Sequence, residues 1–184
     1  TLAVAFYHER GPAMASHRSV RDTDGNLAMP TLEERVQRLE DQLQVAMDRQ
    51  SIVELTGRYC RAVASDDMET LLGLFTEDAS LATSFPPESG QDHDETRGRD
   101  ALRETYKGTA GMGLKPCVHN HVVELDGDRA RGFCSVELRL SQDGVAYTAA
   151  GHYEDEFRRN SGEWLFARRK LVLYHWVPQS EGWA

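Results

Sequence analysis

The sequence predicts an α+β fold, a strongly curved antiparallel sheet wrapped by N-terminal helices into a cone with one open end. Residues 117–176 alternate polar and apolar side chains over long stretches, as strands with one buried face do. Segments with helical spacing precede them. Three turn signals divide the strands, and each supplies residues that tolerate the positive φ of a tight hairpin: Asp126-Gly127, Asp143-Gly144 and Asn160-Ser161-Gly162. We therefore expect a meander of four long strands and a small-molecule site inside the cone.

The overall composition excludes several classes of partner. A length of 184 residues suits one domain with one sizeable core. The net charge of −9 argues against nucleic acid and anionic membranes, because their phosphates would be repelled. No run approaches the roughly 18 apolar residues of a membrane span. The three cysteines are an odd number without metal-type spacing, which indicates a reduced, cytoplasmic setting: Cys60, Cys117 and Cys134.

The predicted domain occupies residues 31–177. Residues 1–30 have no apolar periodicity, and we expect a disordered leader or a non-native remnant there, with a short tail over residues 178–184. Thr31 and Glu34 match a capping box, in which each residue accepts a hydrogen bond from the other's backbone N–H. The first helix should therefore begin directly after Thr31.

The first helix carries two different apolar faces. Its start has a narrow seam of apolar residues at spacings of three, four or seven, interrupted by Gln50: Leu32, Val36, Leu39, Leu43, Ala46 and Val53. We expect residues 31–50 to form a helical extension that contacts another subunit, in a homodimer or homotrimer. The continuation from Ile52 to Val63 has a broader apolar face and fits a core helix.

The middle of the chain predicts shorter elements. Ser65-Asp66-Asp67 breaks the first helix and starts a second, capped by Asp66 with Glu69. The remaining predictions are a helix that ends at Phe75, a strand over 79–85, a loop over 86–94, a helix over 100–107 and a Gly-rich connection over 109–116.

The last strand differs from the earlier ones in having large apolar groups on both faces. Simple alternation puts Arg169 in a row with Leu165 and Ala167, and puts Trp164 and Phe166 in the opposite row. We expect the helices to cover one face and another subunit to cover the second. Arg169 lies in an otherwise apolar row, so it should pair with an acid or face a ligand.

Two histidines, His119 and His121, are the first candidate catalytic groups. Their i, i+2 spacing on a strand predicts that they share a face. They are either structural residues or a general base, since an unshifted imidazole pKa suits proton transfer at neutral pH. A metal site is the third alternative, and it needs one more ligand from a short set: His152, Asp155 or His175.

Three further residues are candidates. Tyr59 lies on the buried side of the core helix, where it either packs or presents a hydroxyl to a pocket. Arg169 either forms an internal ion pair or holds a carboxylate, a leaving group or a developing oxyanion. Asp66 is either a helix cap or a catalytic carboxylate.

Four segments resemble the SnoaL-like branch of the nuclear-transport-factor-2-like superfamily. They are RYCRAVASDDMETLLGLFTEDASL, RGRDALRETY, NHVVELDGDRARG and GHYEDEFRRNSGEWLFARRK, and the match runs from about Glu33 to Tyr174. The resemblance implies a curved sheet wrapped by helices around an apolar pocket. Its members include polyketide cyclases, scytalone dehydratase, bile-acid dehydratases, a dehydrochlorinase, ketosteroid isomerase and lyases of lignin-derived aromatics. Most of them use no metal and no organic cofactor.

The family's catalytic residues carry over only in part. Several members pair an Asp with a His, and the matching positions here are Ala64 and Pro116. The family's pocket Tyr matches Tyr59, and its strand Arg matches Arg169. A bulge could let Asp66 and His119 take over the lost roles.

The function we expect is that of a cofactor-independent lyase, isomerase or cyclase. It would abstract a proton from a small apolar, cyclic or aromatic molecule, with His119 or His121 as base, Tyr59 as acid or orienting group and Arg169 as charge stabiliser. Asp66 is a further catalytic candidate, and we expect neither metal nor cofactor. The alternatives are a non-catalytic binding or assembly module, such as the small subunit of a ring-hydroxylating oxygenase, and a metal-dependent lyase or hydrolase.

Overall fold

The computed structural model describes residues 29–85 and 93–181. Its contacts divide the chain into two compact units, residues 1–41 and residues 42–184. The expected leader falls outside the described residues except for Met29 and Pro30. The helices are α1 (Leu32–Ala64), α2 (Met68–Gly73) and α3 (Arg99–Lys107), and the strands are β1 (Phe75–Ser84), β2 (His93–Arg97), β3 (Lys115–Asp126), β4 (Arg129–Gln142), β5 (Val145–Asn160) and β6 (Glu163–Pro178). A short 3₁₀ turn, Gln179–Glu181, follows β6.

The helix starts show where capping was predicted correctly and where it was not. The capping box is confirmed: the Thr31 N–H donates to Glu34 Oε2 over 2.7 Å, and the Glu34 N–H donates to Thr31 Oγ1 over 3.2 Å. The predicted cap at Asp66 is wrong, because Asp66 adopts a positive φ of 53° in the turn between the helices. Asp67 caps α2 instead and accepts from the Thr70 N–H over 3.1 Å. Phe75, expected at the end of that helix, begins β1.

The six strands form one sheet in the order β2-β1-β6-β5-β4-β3. The meander from β3 to β6 is confirmed, and each of its neighbours is antiparallel. Two details differ from the expectation. β2 begins at His93, where a loop was predicted, and β1 pairs with β6 in the parallel direction, so the sheet is not antiparallel throughout. A parallel pair is possible because a long stretch of chain separates the two strands.

A bulge in β6 changes the predicted facing of its side chains. Asp155 pairs with Arg169 and Phe157 pairs with Phe166, so β6 spans the same distance with one extra residue. Arg169 therefore shares the inner face with Phe166 and Trp164, and the predicted row with Leu165 and Ala167 is wrong. The extra residue aims the guanidinium into the core, where Arg169 is completely buried.

A second irregularity in the pairing of β5 and β6 lies at Gly151. A Cβ built on this glycine would lie 2.0 Å from the Val172 carbonyl oxygen, so no larger residue fits without moving a strand. Close approach of this kind lets the sheet curve around its inner face. The helices pack on that face, and the buried core lies between them and the strands.

An ion pair at the end of the hairpin between β5 and β6 fastens α1 to the sheet. Asp48 accepts from Arg159 Nη2 over 2.6 Å and from Trp164 Nε1 over 3.1 Å. The hydrogen bond from Arg159 and those from Trp164 and Gln44 outweigh burial and lower the pKa of Asp48. None of the helices described here is long and apolar enough to cross a bilayer.

Candidate active site in the core of the cone

The centre of the core holds a positive charge surrounded by aromatic rings. The Arg169 guanidinium carbon lies 3.6 Å from the ring centroid of Tyr153, 4.0 Å from that of Tyr59 and 4.4 Å from that of Phe166. Such cation–π contacts partly replace the water that a buried cation has lost. Arg169, which was expected to be paired or to face a ligand, therefore lies directly beneath the core helix that carries Tyr59.

Asp155 is the acid opposite this cation. It pairs with Arg169 across β5 and β6, and its Oδ1 lies 3.3 Å from Arg169 Nε. The two atoms are close enough for an ion pair but are not aligned for a hydrogen bond. Burial raises the pKa of Asp155 to about 7, although the Arg169 charge pulls it down. A carboxyl that changes charge near neutrality is a common feature of functional sites.

Arg169 has hydrogen-bonding capacity that the described residues do not use. Its Nε and Nη1 have no hydrogen-bond partner among these residues, and its Nη2 makes only a long contact of 4.0 Å with Cys134 Sγ. Burial alone would lower the pKa of Arg169, but Asp155 and the nearby tyrosines raise it, so the side chain stays charged. A fixed, partly unpaired cation in an apolar core can stabilise negative charge that develops beside it.

Two buried tyrosine hydroxyls contact each other, one of them on the ring that lies over Arg169. Tyr59 on α1 and Tyr106 on α3 have their hydroxyl oxygens 3.1 Å apart, and both side chains are buried. Burial raises the pKa of Tyr59 and, more strongly, that of Tyr106, so both hydroxyls keep their protons at neutral pH. One hydroxyl of the pair donates to the other, which leaves the second proton available to another acceptor.

The two histidines do not share a face, and that prediction is wrong. His119 pairs with Ser135 but Val122 pairs with Phe133, so β3 has a bulge at residues 120–121, where Asn120 has a φ of 57°. His119 lies on the outer face, with 48% of its side chain exposed and its Nε2 3.8 Å from Glu137 Oε1. His121 turns to the inner face and contacts α1.

The contact of His121 with α1 fixes its tautomer. The Thr56 hydroxyl donates to the Val53 carbonyl over 2.6 Å, and it lies 2.8 Å from His121 Nε2. Because a hydroxyl has one proton, Thr56 accepts from His121 Nε2–H, and Nδ1 keeps the lone pair. Burial, then the charges of Arg169 and His119, lower the pKa of His121, so the imidazole is neutral at physiological pH. A neutral imidazole with a free Nδ1 can accept a proton.

A small cavity of about 40 Å³ adjoins the tyrosine pair. This volume holds water but not a drug-sized ligand, which needs roughly 300–1,000 Å³. Exposed Asp66 lies at its wall, and the other lining residues are apolar or hydroxyl-bearing: Ala62, Val63, Met68, Leu71, Tyr106, Thr109 and Ala110. A chain of contacts leads inward from the cavity through Tyr106 and Tyr59 to Arg169.

The positions that match the family's Asp–His pair are linked through a lysine side chain. The Lys115 ammonium donates to the Ala64 carbonyl oxygen, which brings the end of α1 next to the start of β3. The methyl of Ala64 and the ring of Pro116 cannot transfer protons. Proton transfer in this core therefore requires other groups, and His121 on the inner face is a candidate.

Three interior residues were missed as parts of the site, Thr56, Tyr106 and Tyr153, and Asp155 was named only as a possible metal ligand. A signal for Asp155 exists, because strict alternation in β5 puts it inward between Tyr153 and Phe157. An acid at an inward position is rare enough to be marked as a site. No comparable signal exists for Tyr106, whose role depends on a hydroxyl contact with Tyr59 across 47 residues of sequence.

A family model described as a SnoaL-like domain matches residues 44–170, which is more than half of the chain. No curated protein matches the chain by sequence. The fold prediction is confirmed by a nuclear-transport-factor-2-like protein with a cystatin-like fold from Novosphingobium aromaticivorans. It is 25% identical, covers 79% of this chain and 92% of its own, and superposes with a TM-score of 0.61.

Two more structures from Novosphingobium aromaticivorans are similar. A protein proposed to be an aromatic ring hydroxylase is 27% identical, with a TM-score of 0.63 over 72% of this chain and 94% of its own. A protein proposed to be a scytalone dehydratase is 22% identical, with a TM-score of 0.64 over 76% of this chain and 91% of its own. At that lower identity the likeness concerns the fold alone.

Proposed function

This chain belongs to the SnoaL-like domain family, and we propose that it is a cofactor-independent lyase, isomerase or cyclase acting on a small apolar, cyclic or aromatic molecule. The observation that carries the proposal is Arg169, a completely buried cation whose Nε and Nη1 have no hydrogen-bond partner among the described residues. Such a group suits a reaction in which a carbonyl becomes an enolate, because the new negative charge meets a fixed positive one.

His121 is the base in this proposal. Its Nδ1 keeps the lone pair because Nε2–H is bonded to Thr56, and its lowered pKa keeps that lone pair free at neutral pH. His119 points to the outer face and has no part in the reaction. Asp66 lies at the wall of the cavity and is exposed, so it has no part in proton transfer in this proposal.

The tyrosine pair supplies the acid. Tyr59 and Tyr106 keep their protons, and one hydroxyl proton remains for a carbonyl oxygen or a leaving hydroxide. In a dehydration the base takes the proton α to a carbonyl, the C–H electrons form the new double bond, and the β-hydroxyl leaves as water after accepting a proton. A substrate larger than water must displace side chains at the cavity, of which Met68 is the most adaptable.

The test uses a model substrate that reacts by this dehydration. 3-Hydroxy-1-tetralone loses water to give the aromatic product 1-naphthol, whose fluorescence reports turnover. We expect the wild-type protein to accelerate the reaction, and His121→Gln to lower kcat about 10²–10⁴-fold, since the amide retains the bond to Thr56 but cannot accept the proton.

A matched variant on the same strand controls this experiment. His119→Gln makes the same change on the outer face, and kcat should stay within about twofold of wild type, far from the effect of a lost base. Wild-type kcat/KM should fall only below about pH 6.5, because the pKa of His121 lies under the ordinary histidine value. No acceleration over buffer, or equal losses in the two variants, contradicts the proposal.

The second candidate is a non-catalytic binding or assembly module. The specific observations in its favour are the absence of proton-transferring groups at Ala64 and Pro116 and a cavity of about 40 Å³, which has room only for water. The 27% identical relative proposed to be an aromatic ring hydroxylase suits a small oxygenase subunit. Co-purification of a larger iron-containing partner, with no turnover of the tetralone, would favour this alternative.

A further inference from the structure

The start of α1 carries a continuous row of exposed apolar side chains. Leu32 is 73% exposed, Leu39 is 64% exposed and Leu43 is 60% exposed. A row of leucines this exposed is unusual on the surface of a protein that has no binding partner there. The members of this row, called the seam below, follow one another at alternating steps of four and three residues: Leu32, Val36, Leu39, Leu43, Ala46 and Gln50. That spacing is the a and d pattern of a coiled coil, with Val36, Leu43 and Gln50 at a positions.

Within residues 42–184, the seam lies on the side of α1 that its own fold does not use. Asp48 and Leu55 are buried against the sheet and the core, and both occupy the f position, opposite the seam. Ala46 and Gln50 at the seam are exposed. In this part of the chain the seam is therefore free to meet another helix.

The charged residues that flank the seam determine which helix can bind it and whether the two helices run parallel or antiparallel. Arg35 and Arg49 occupy g positions, and Glu40 and Glu54 occupy the e positions five residues later. In a parallel pair, each g side chain faces the e side chain of the next heptad on the other helix. We propose that the seam forms a parallel, in-register coiled coil with a second copy of this chain, joined by Arg35–Glu40 and Arg49–Glu54 pairs between the copies.

The antiparallel arrangement meets the opposite electrostatics. There g positions face g positions and e positions face e positions, so Arg35 would lie opposite Arg49 and the glutamates would face one another or Met47. Like charges held side by side are destabilising. Only the parallel pair matches opposite charges on both sides of the seam.

The seam residues also favour two strands over three. Val36 at an a position is followed by Leu39 at a d position, and this combination selects dimers. Gln50, whose amide donates to Glu54 on the same helix, adds a polar side chain at an a position, and a polar residue at an a position specifies the register of a coiled coil. Assembly through the seam does not depend on the proposed reaction.

Disulfide trapping tests the geometry on the full chain. In a Cys117→Ser background, which removes the exposed native thiol, Leu39→Cys places one thiol beside the same residue of the partner at the centre of the seam. We expect oxidation to convert most of the protein into a covalent dimer. Val45→Cys is the matched control, because Val45 is exposed on the same helix but lies off the seam. Equal cross-linking in both variants, or none at Leu39, overturns the proposal.

A charge reversal then decides the direction. Arg35→Glu puts two acids together in the parallel pair. The dissociation constant of the dimer, measured by sedimentation, should therefore rise about tenfold. Arg35→Glu combined with Glu40→Arg should restore the wild-type dissociation constant. A tighter dimer with Arg35→Glu alone indicates the antiparallel pair and overturns the proposal. Circular dichroism checks that every variant keeps its fold, and Val45→Glu serves as the control for added charge.

Discussion

Two aspartate–arginine pairs in this fold behave in opposite ways. Asp48 and Arg159 lie at the end of the hairpin between β5 and β6, and hydrogen bonds from Arg159, Trp164 and Gln44 fill both carboxylate oxygens. Asp155 and Arg169 lie in the middle of the core, 3.3 Å apart but unaligned. The pKa of Asp48 is lowered, whereas that of Asp155 is raised to about 7.

An opposite charge alone therefore does not keep a buried carboxylate ionised. Each acid has an arginine beside it, but only Asp48 has aligned N–H donors to replace its lost water. The pair that is fully hydrogen-bonded fastens a helix to the sheet. The pair that is not leaves both charges incompletely satisfied, an arrangement that costs stability and suits a functional site better than a structural one.

Removal of the inner cation should have the largest effect on stability. Arg169→Met keeps the volume and the apolar contacts with Tyr59 but leaves Asp155 buried without a counter-charge. We expect the free energy of unfolding to fall by about 3–5 kcal/mol at about pH 8. At about pH 5 Asp155 is protonated, so the loss should be clearly smaller. Urea titrations at both pH values measure this, and equal losses would show that the two groups are not coupled.

Asp155 should give the protein an unusual dependence of stability on pH. The folded pKa of Asp155 is about 7 and lies above its unfolded value, so the folded state binds this proton more tightly. Its contribution is fully present below about pH 4 and is lost as the pH rises towards 7. Between about pH 5 and pH 8 the loss from this group should reach about 3 kcal/mol.

Asp155→Asn isolates this effect, because an amide does not titrate over the same range. The stability of the wild type minus that of the variant should decrease as the pH rises from about 5 to about 8. A difference that stays constant over this range would mean that Asp155 is ionised throughout. The Arg169 charge would then outweigh burial, and the contrast between the two pairs would disappear.

The sequence predicted elements better than it predicted which side chains meet. The turn pairs and alternation of residues 117–176 located the four-stranded meander, because hairpin chemistry and burial are both local signals. The bulges at residues 120–121 and 167 carry no such local signal, since they arise from how neighbouring strands pair. Each one moved a side chain to the opposite face of its strand, so His121 and Arg169 lie on the inner face of the sheet while His119 does not.

Loss of the Asp48 carboxylate should lower the free energy of unfolding by less, and with the opposite dependence on pH. Asp48→Asn keeps an oxygen for the Trp164 N–H but removes the charge that faces Arg159. We expect a loss of roughly 1–2 kcal/mol at neutral pH, which is typical of a hydrogen bond to a charged group.

The folded pKa of Asp48 lies below its unfolded value, so this contribution is present above about pH 4 and is lost as the pH falls through the folded pKa. Thermal unfolding of both proteins near neutral pH and near pH 3 should therefore show a gap that closes in acid. A gap that widens in acid would mean that Asp48 resembles Asp155, and that aligned donors are not what separates the two pairs.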